Sequence, residues 1–199
     1  MHNLFIESIK KRRSQYALGK NLTLSQAETT ELIQEAVRQA PSAFNSQSTR
    51  AVILYAEHNQ ALWDLVKESL RPLVPADNFA ATKTKVNSFA AGAGTVLFYE
   101  DQTVVEGLQE RFALYADNFP VWSEHANAIA QFSVWTALAN ADIGASLQHY
   151  NPVIDAAVAA HWDIPSNWTL RAQMPFGSNE GELSEKTYIA DAERFLIFA

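Results

Sequence analysis

Ser123-Glu124-His125-Ala126-Asn127-Ala128-Ile129-Ala130-Gln131-Phe132-Ser133-Val134-Trp135-Thr136-Ala137-Leu138 is the stretch on which the fold turns. On a helix, Ile129, Phe132, Val134, Trp135 and Leu138 occupy much of the circumference, not one stripe. A helix that is apolar on most sides is packed on most sides. The spacing predicts a central helix, capped by Ser123 and closed by Asp142-Ile143-Gly144.

Shorter elements surround it. Residues 103–115 and 77–91 read as helices. Thr95–Tyr99 is a short apolar run ended by Glu100-Asp101, and Ala51–Tyr55 is another; both predict buried strands. Between these strands, Leu62, Trp63, Leu65, Val66 and Leu70 fit a helix closed by Pro72 and Pro75. Ser25 and Glu28 have capping-box spacing, opening a helix that sends Leu32, Ile33, Ala36 and Val37 inward. Pro41 ends that helix, since proline disfavours helical backbone in the residue before it. Residues 3–13 predict a helix with Leu4, Phe5, Ile6 and Ile9 facing inward. Downstream, Asn151-Pro152 opens an alanine-rich helix to His161, and Thr169–Met174 and Arg194–Phe198 are two more strands. Helices outnumber and interleave with strands, which makes this an α+β layered domain with a mixed sheet, not a doubly wound nucleotide fold.

The 199 residues suit one domain, 1–199, with a substantial core. A composition of 48% hydrophobic and 19% charged residues excludes a disordered chain. The net charge of −7 argues against general nucleic-acid binding, which needs a broad basic face. The start lacks the basic end and long apolar stretch of a signal peptide, and no apolar run is long enough for a membrane span. The absence of cysteine removes disulfides, thiol catalysis and zinc–thiolate sites, and agrees with a cytoplasmic location.

Against that acidic background, Lys10-Lys11-Arg12-Arg13-Ser14 is a knot of positive charge ending in a hydroxyl. It reads either as a solvated charge run or as an anion site, with guanidinium forks suited to phosphate oxygens. Common chemistries are missing: there is no Walker loop, no Gly-x-Ser-x-Gly elbow and no His-Glu-x-x-His. Gly92-Ala93-Gly94-Thr95 precedes a strand, so it reads as a tight turn and not as a dinucleotide loop. The five histidines have no metal-ligand spacing. His58 and His161 read as surface or helix-end residues, and His125 as a structural histidine in the long helix.

Two further segments stand out: Ala40-Pro41-Ser42-Ala43-Phe44-Asn45-Ser46-Gln47, dense in amides and hydroxyls, and Gly144-Ala145-Ser146-Leu147-Gln148-His149-Tyr150-Asn151-Pro152. With Arg12-Arg13-Ser14, Trp122-Ser123-Glu124-His125, Ala130-Gln131-Phe132-Ser133-Val134-Trp135 and Gln173-Met174-Pro175-Phe176-Gly177, they occur in the order seen in one family. Over nearly its whole length the chain resembles the FMN-dependent nitroreductases, in particular the subgroup of the yeast fatty-acid-repression and bacterial copper-induced nitroreductases.

That resemblance implies a three-layer α/β/α domain with a mixed, mainly antiparallel sheet, dimeric, with strand exchange at the C-terminus. It implies that Arg12, Arg13 and Ser14 hold the FMN phosphate and ribityl chain, with Lys186 as a further phosphate ligand. Pro41, Ser42, Ala43, Asn45 and Gln47 match the loop that the partner subunit lays against the flavin ring, and Gln148 and His149 the segment on its other side. Ala43 stands where many relatives have serine, and Tyr188 where distant relatives have a second cation. Either Lys83 or Lys85 could supply charge near the flavin, or both could line a solvated helix face. Phe44, Phe119 and Trp122 are candidates for stacking on the substrate, against the alternative that they are core. The Phe195-Leu196-Ile197-Phe198 end belongs either to the chain's own sheet or, as in the family, to its partner.

The activity implied is that of a flavoprotein oxidoreductase. It would pass electrons from NADH or NADPH to nitroaromatics or quinones by a ping-pong mechanism, with FMN at the interface of a homodimer. A cofactor that carries the chemistry requires no acid, base, nucleophile or metal from the protein. The alternative is a flavin-binding stress or regulatory protein with incidental reductase activity. A non-flavin reading makes residues 10–14 a docking patch for an acidic partner.

Overall fold

The computed structural model describes residues 3–183 and 185–198. In chain order the elements are α1 (Leu4–Lys11), β1 (Leu18–Gly19), α2 (Gln26–Arg38), β2 (Thr49–Tyr55), α3 (Ala56–Leu70), α4 (Ala76–Ala90), β3 (Gly94–Asp101), α5 (Gln102–Arg111), α6 (Phe119–Asn140), β4 (Ile143–Ala145), α7 (Asp155–Trp162), β5 (Trp168–Asn179) and α8 (Asp191–Arg194). The sheet runs β1-β5-β3-β2, with β4 also on β5, and every strand pair is antiparallel. The parallel contribution is an isolated bridge between Ser14 and Ala145.

The alternation of side chains along β3 explains the layers. Successive residues of a strand point to opposite faces. Val96 and Phe98 face Ile33 of α2 and Val134 and Leu138 of α6. Leu97 and Tyr99 face Trp63 and Val66 of α3, Phe89 of α4 and Val158 of α7. All eight residues of β3 are buried, so the strand lies at the centre of an α/β/α sandwich.

Local signals account for the boundaries. The Ser25–Glu28 capping box is formed in both directions at the start of α2. The turn into β3 is held by a buried relay: Trp63 Nε1 donates to Thr95 Oγ1 at 3.0 Å, Thr95 donates to Asn59 Oδ1 at 2.6 Å, and Asn59 Nδ2 donates to the Ala90 and Gly92 carbonyls. At Gly94 a Cβ would sit 2.6 Å from the Phe176 ring, which leaves room for glycine alone.

Several expectations are corrected. β3 runs through Glu100 and Asp101, because both carboxylates find donors in neighbouring segments. The central helix starts at Phe119 with Pro120 in its first turn; Ser123 lies inside it and donates back to the Pro120 carbonyl at 2.8 Å. Ile143–Ala145 is a strand, and α7 begins at Asp155, after a turn at Asn151-Pro152. Arg194 ends the short α8, and residues 195–198 pair with no strand among the described residues. The apolar face of α1 is left uncovered by the described residues: Leu4 is 76% and Phe5 62% exposed.

Candidate functional site

The basic knot divides at its middle. Lys10 pairs with Glu7. Lys11 bridges Asp142 at 2.8 Å and donates to the Asn140 carbonyl at the end of α6, where the helix dipole favours a cation. Lys11 thus fastens α1 to the end of α6, while Lys10 stays paired within α1. Arg12, Arg13 and Ser14 turn instead into a cavity that they line with Tyr16, Glu182 and Lys186. The Arg12 guanidinium lies 4.3 Å over the Trp135 ring. Partial burial lowers its pKa from the ordinary arginine value, and the adjacent Arg13 charge lowers it further. Both effects oppose the positive charge, so an anion bound here would relieve them. Three cations and a hydroxyl against one carboxylate suit a phosphate.

The wall of this corner continues into the segment after α6. The Gln15 amide and Trp135 Nε1 both donate to the Ala145 carbonyl, at 2.9 and 3.0 Å. Gln148 exchanges backbone hydrogen bonds with Gln173 at 2.7 and 2.9 Å, and its side chain donates to Ser146. The Gln173 side chain, fully buried in β5, accepts from the Tyr150 amide and donates to Asn151. Gln173 thus shapes the 148–151 turn and leaves His149 exposed. A glutamine inside the otherwise apolar stretch Ala172–Phe176 is the sequence signal for this role.

The 41–49 loop is built from unusual backbone. Phe44, Asn45 and Gln47 have φ of 56°, 51° and 49°, the left-handed region that side chains other than glycine enter at a cost of about 1–2 kcal/mol per residue. Ser42 holds the bend: its carbonyl accepts from the Asn45 amide and its hydroxyl from the Gln47 amide. β3 holds the exit. Ser48 and Thr49 hydroxyls donate to Glu100, Arg50 spans from the Gln47 carbonyl to Asp101, and Asn127 of α6 also donates to Glu100. The buried carboxylates of β3 are therefore scaffold for this loop, a role invisible in the local sequence.

The loop carries Phe44 onto an aromatic cluster. Its ring lies 4.8 Å from Phe112, 5.4 Å from Phe119, and 6.1 Å from both Tyr115 and Trp122, nearly parallel to Trp122 at 21°. Phe44 is 52% exposed, whereas Phe119 is 2% exposed and backs the wall from inside. Pro41, Ser42, Ala43, Phe44, Trp122, His125, Ala126 and Ile129 line one open, mostly apolar pocket. Phe112 and Tyr115 join the wall without having been singled out in the sequence.

The phosphate-suited corner and the aromatic pocket do not meet within the chain. Trp122 of the pocket and Trp135 of the corner stand about 20 Å apart along α6 at 1.5 Å per residue. Lys83 and Lys85 are exposed on α4, across the sheet from α6. Lys186 Nζ lies 5.5 Å from the exposed Tyr188 ring, so that tyrosine borders the corner without adding charge.

The sequence profile of the nitroreductase family matches residues 9–178. The structure superposes on nitroreductase CinD from Lactococcus lactis in complex with nicotinic acid with a TM-score of 0.92 and 49% identity, covering 98% of this chain and 100% of that one. Superposition on the same protein in complex with 4-nitrophenol gives a TM-score of 0.89 and 49% identity, with the same coverage. The Saccharomyces cerevisiae protein HBN1 is 35% identical over 194 residues, 96% of each chain.

Proposed function

The chain belongs to the nitroreductase family, a family of oxidoreductases, and on that premise we propose that it is a homodimeric FMN enzyme that passes electrons from NADH or NADPH to nitroaromatic compounds or quinones by a ping-pong mechanism. The observation that carries this reading is the gathering of Arg12, Arg13, Ser14 and the distant Lys186 around one cavity. FMN bound there supplies the capacity to accept hydride from the nicotinamide and to return electrons to the acceptor.

The chain's own residues bind and orient. Arg12 and Arg13 present planar forks to the phosphate, Lys186 adds a mobile point charge, and Ser14 adds a hydroxyl. Trp135 keeps the Arg12 fork in place by stacking. The backbone at Gln148 and His149 would hold the ring together with the 41–47 loop, whose aromatic wall would shield the acceptor from water.

That wall is the partner subunit's in this reading. A two-fold axis across α6 would set the corner of one protomer against the loop of the other, as a self-complementary interface requires. The open face of α6 supports such a contact, with Val121, Ala128, Ile129 and Phe132 exposed at helical spacing. The bare apolar face of α1 and the tail ending at Phe198, 92% exposed, support it too. The similarity to CinD adds that planar aromatics suit the pocket, since that protein is described in complex with nicotinic acid and 4-nitrophenol. A cytoplasmic location agrees with a chain that contains no cysteine.

Absorbance of the purified protein tests the reading. Flavin bands that bleach with NADH or NADPH and return with 4-nitroquinoline N-oxide are expected. A colourless protein that takes up no FMN defeats the proposal, and a flavin that neither nucleotide bleaches would favour a regulatory role.

A further inference from the structure

The polar groups lining the mostly apolar aromatic pocket are the Ser42 hydroxyl, the His125 imidazole and the Trp122 indole N–H. The Ser42 hydroxyl is engaged by the Gln47 amide. His125 stands on the open face of α6, one turn from both Trp122 and Ile129, and its ring has no hydrogen-bond, ion-pair or stacking partner among the described residues. The neighbouring carboxylate, Glu124, is held by Arg171 at 2.6 Å. Arg38 and Arg50 line an adjoining hollow that shares Pro41, Ser42 and Ala126, but they are paired with Glu35 and Asp101. Within the chain, His125 and the Trp122 indole N–H are left to answer a ligand, and His125 is the more exposed of the two.

Pockets for small molecules combine apolar walls with a few polar groups that fix orientation. The near-parallel Phe44 and Trp122 rings offer a flat wall, which selects a planar ligand. An imidazole N–H at the edge of such a wall gains most from a ligand oxygen, because an unmatched polar edge is costly once water leaves. We propose that His125 is a specificity-determining residue: it donates a hydrogen bond to an oxygen of a ring substituent, so that the enzyme favours planar aromatic acceptors carrying a carboxylate or phenolate over those without one. The inference rests on the reading of this pocket as the acceptor site.

The test compares 4-nitrobenzoate with nitrobenzene in the wild type, His125→Phe and His125→Gln. The phenylalanine keeps the flat apolar edge and removes the donor; the glutamine keeps a donor. The wild-type preference for 4-nitrobenzoate in kcat/KM should fall about tenfold in His125→Phe, the low end for a hydrogen bond to a charged group. The loss should appear in the KM for 4-nitrobenzoate, and His125→Gln should restore part of it. An undiminished preference in a His125→Phe protein with normal flavin absorbance overturns the assignment. A preparation without flavin would defeat the FMN reading alone. Quenching of tryptophan fluorescence by the two nitro compounds then decides the His125 question, with equal affinity ratios in all three proteins counting against it.

Discussion

Glu100 accepts a hydrogen bond of 2.5 Å from the Ser48 hydroxyl, and neither side chain is exposed at all. One residue belongs to the central strand and the other to the end of the candidate site loop. The same carboxylate accepts from Thr49 and Asn127, so it gathers the loop, the sheet and α6 at one point. Glu100→Leu strands two buried donors, Ser48 and Asn127, and a half-buried one, Thr49, and should cost about 3 kcal/mol, at about 1–3 kcal/mol per buried unsatisfied group. Glu100→Gln keeps one acceptor and can turn its amide to Ser48, whose hydroxyl can also accept; its cost should be about 1 kcal/mol. Urea unfolding of both variants measures the difference, and equal losses would mean that Glu100 matters for its volume alone.

Arg12 sits where a phosphate would meet a fork already stacked on Trp135. Arg12→Ala should weaken FMN binding by about 1.5–3 kcal/mol, the range for hydrogen bonds to charged groups. Arg12→Lys should fall between, since it keeps charge and loses the planar fork. Titration of apoprotein with FMN, followed by flavin fluorescence, gives the numbers. An unchanged affinity in Arg12→Ala would remove this residue from the site.

Asp155 predicts a pH effect on stability. Its Oδ1 is buried without a partner, and burial raises its pKa above the ordinary aspartate value despite the opposing pull of Arg171. The folded state therefore binds the proton more tightly than the unfolded state. Below the unfolded pKa of about 4 both states are protonated and nothing is lost; as pH rises through the higher folded value, stability falls. Asp155→Asn cannot ionise, so it should gain on the wild type between pH 4 and pH 7. Thermal unfolding at both values checks this, and a constant gap between the two proteins contradicts it.

Phe132 lies on the exposed stripe of α6. Phe132→Glu should place a charge in the proposed two-fold contact and yield a monomer by analytical ultracentrifugation. Because each site would draw its wall from the partner, the monomer should also lose FMN. A monomer that keeps its flavin would mean that the cofactor site is complete within one chain.

Much of the architecture was legible because it is local. The Ser25–Glu28 spacing, the run Thr95–Tyr99 and the broad apolar surface of 123–138 each carry their own instruction, whereas Ala51–Tyr55 is a strand as expected but lies at the sheet edge, with Leu54 its one buried residue. What the chain could not disclose depended on distant partners. Glu100 and Asp101 looked like the end of a strand because charges usually leave a core; their donors come from Ser48, Thr49, Arg50, Asn127 and Asn167. Leu4, Phe5 and Ile6 announce a face that wants covering but not the molecule that covers it. For the site, Arg12, Arg13, Ser14 and Lys186 were named from a resemblance, and the fold brings them to one cavity. Gln173 and the Phe112–Tyr115 part of the wall needed three-dimensional neighbours to be noticed.

The left-handed backbone at Phe44 sets two selective pressures against each other. Asparagine or glycine would sit more easily at φ 56°, so a library screened for heat resistance should drift toward them. Each such winner would discard the ring that meets Trp122, and with it the flat surface of the pocket. Thermostability and acceptor range would then be traded at a single codon, and an engineer seeking both must stabilise the molecule elsewhere and leave that residue alone.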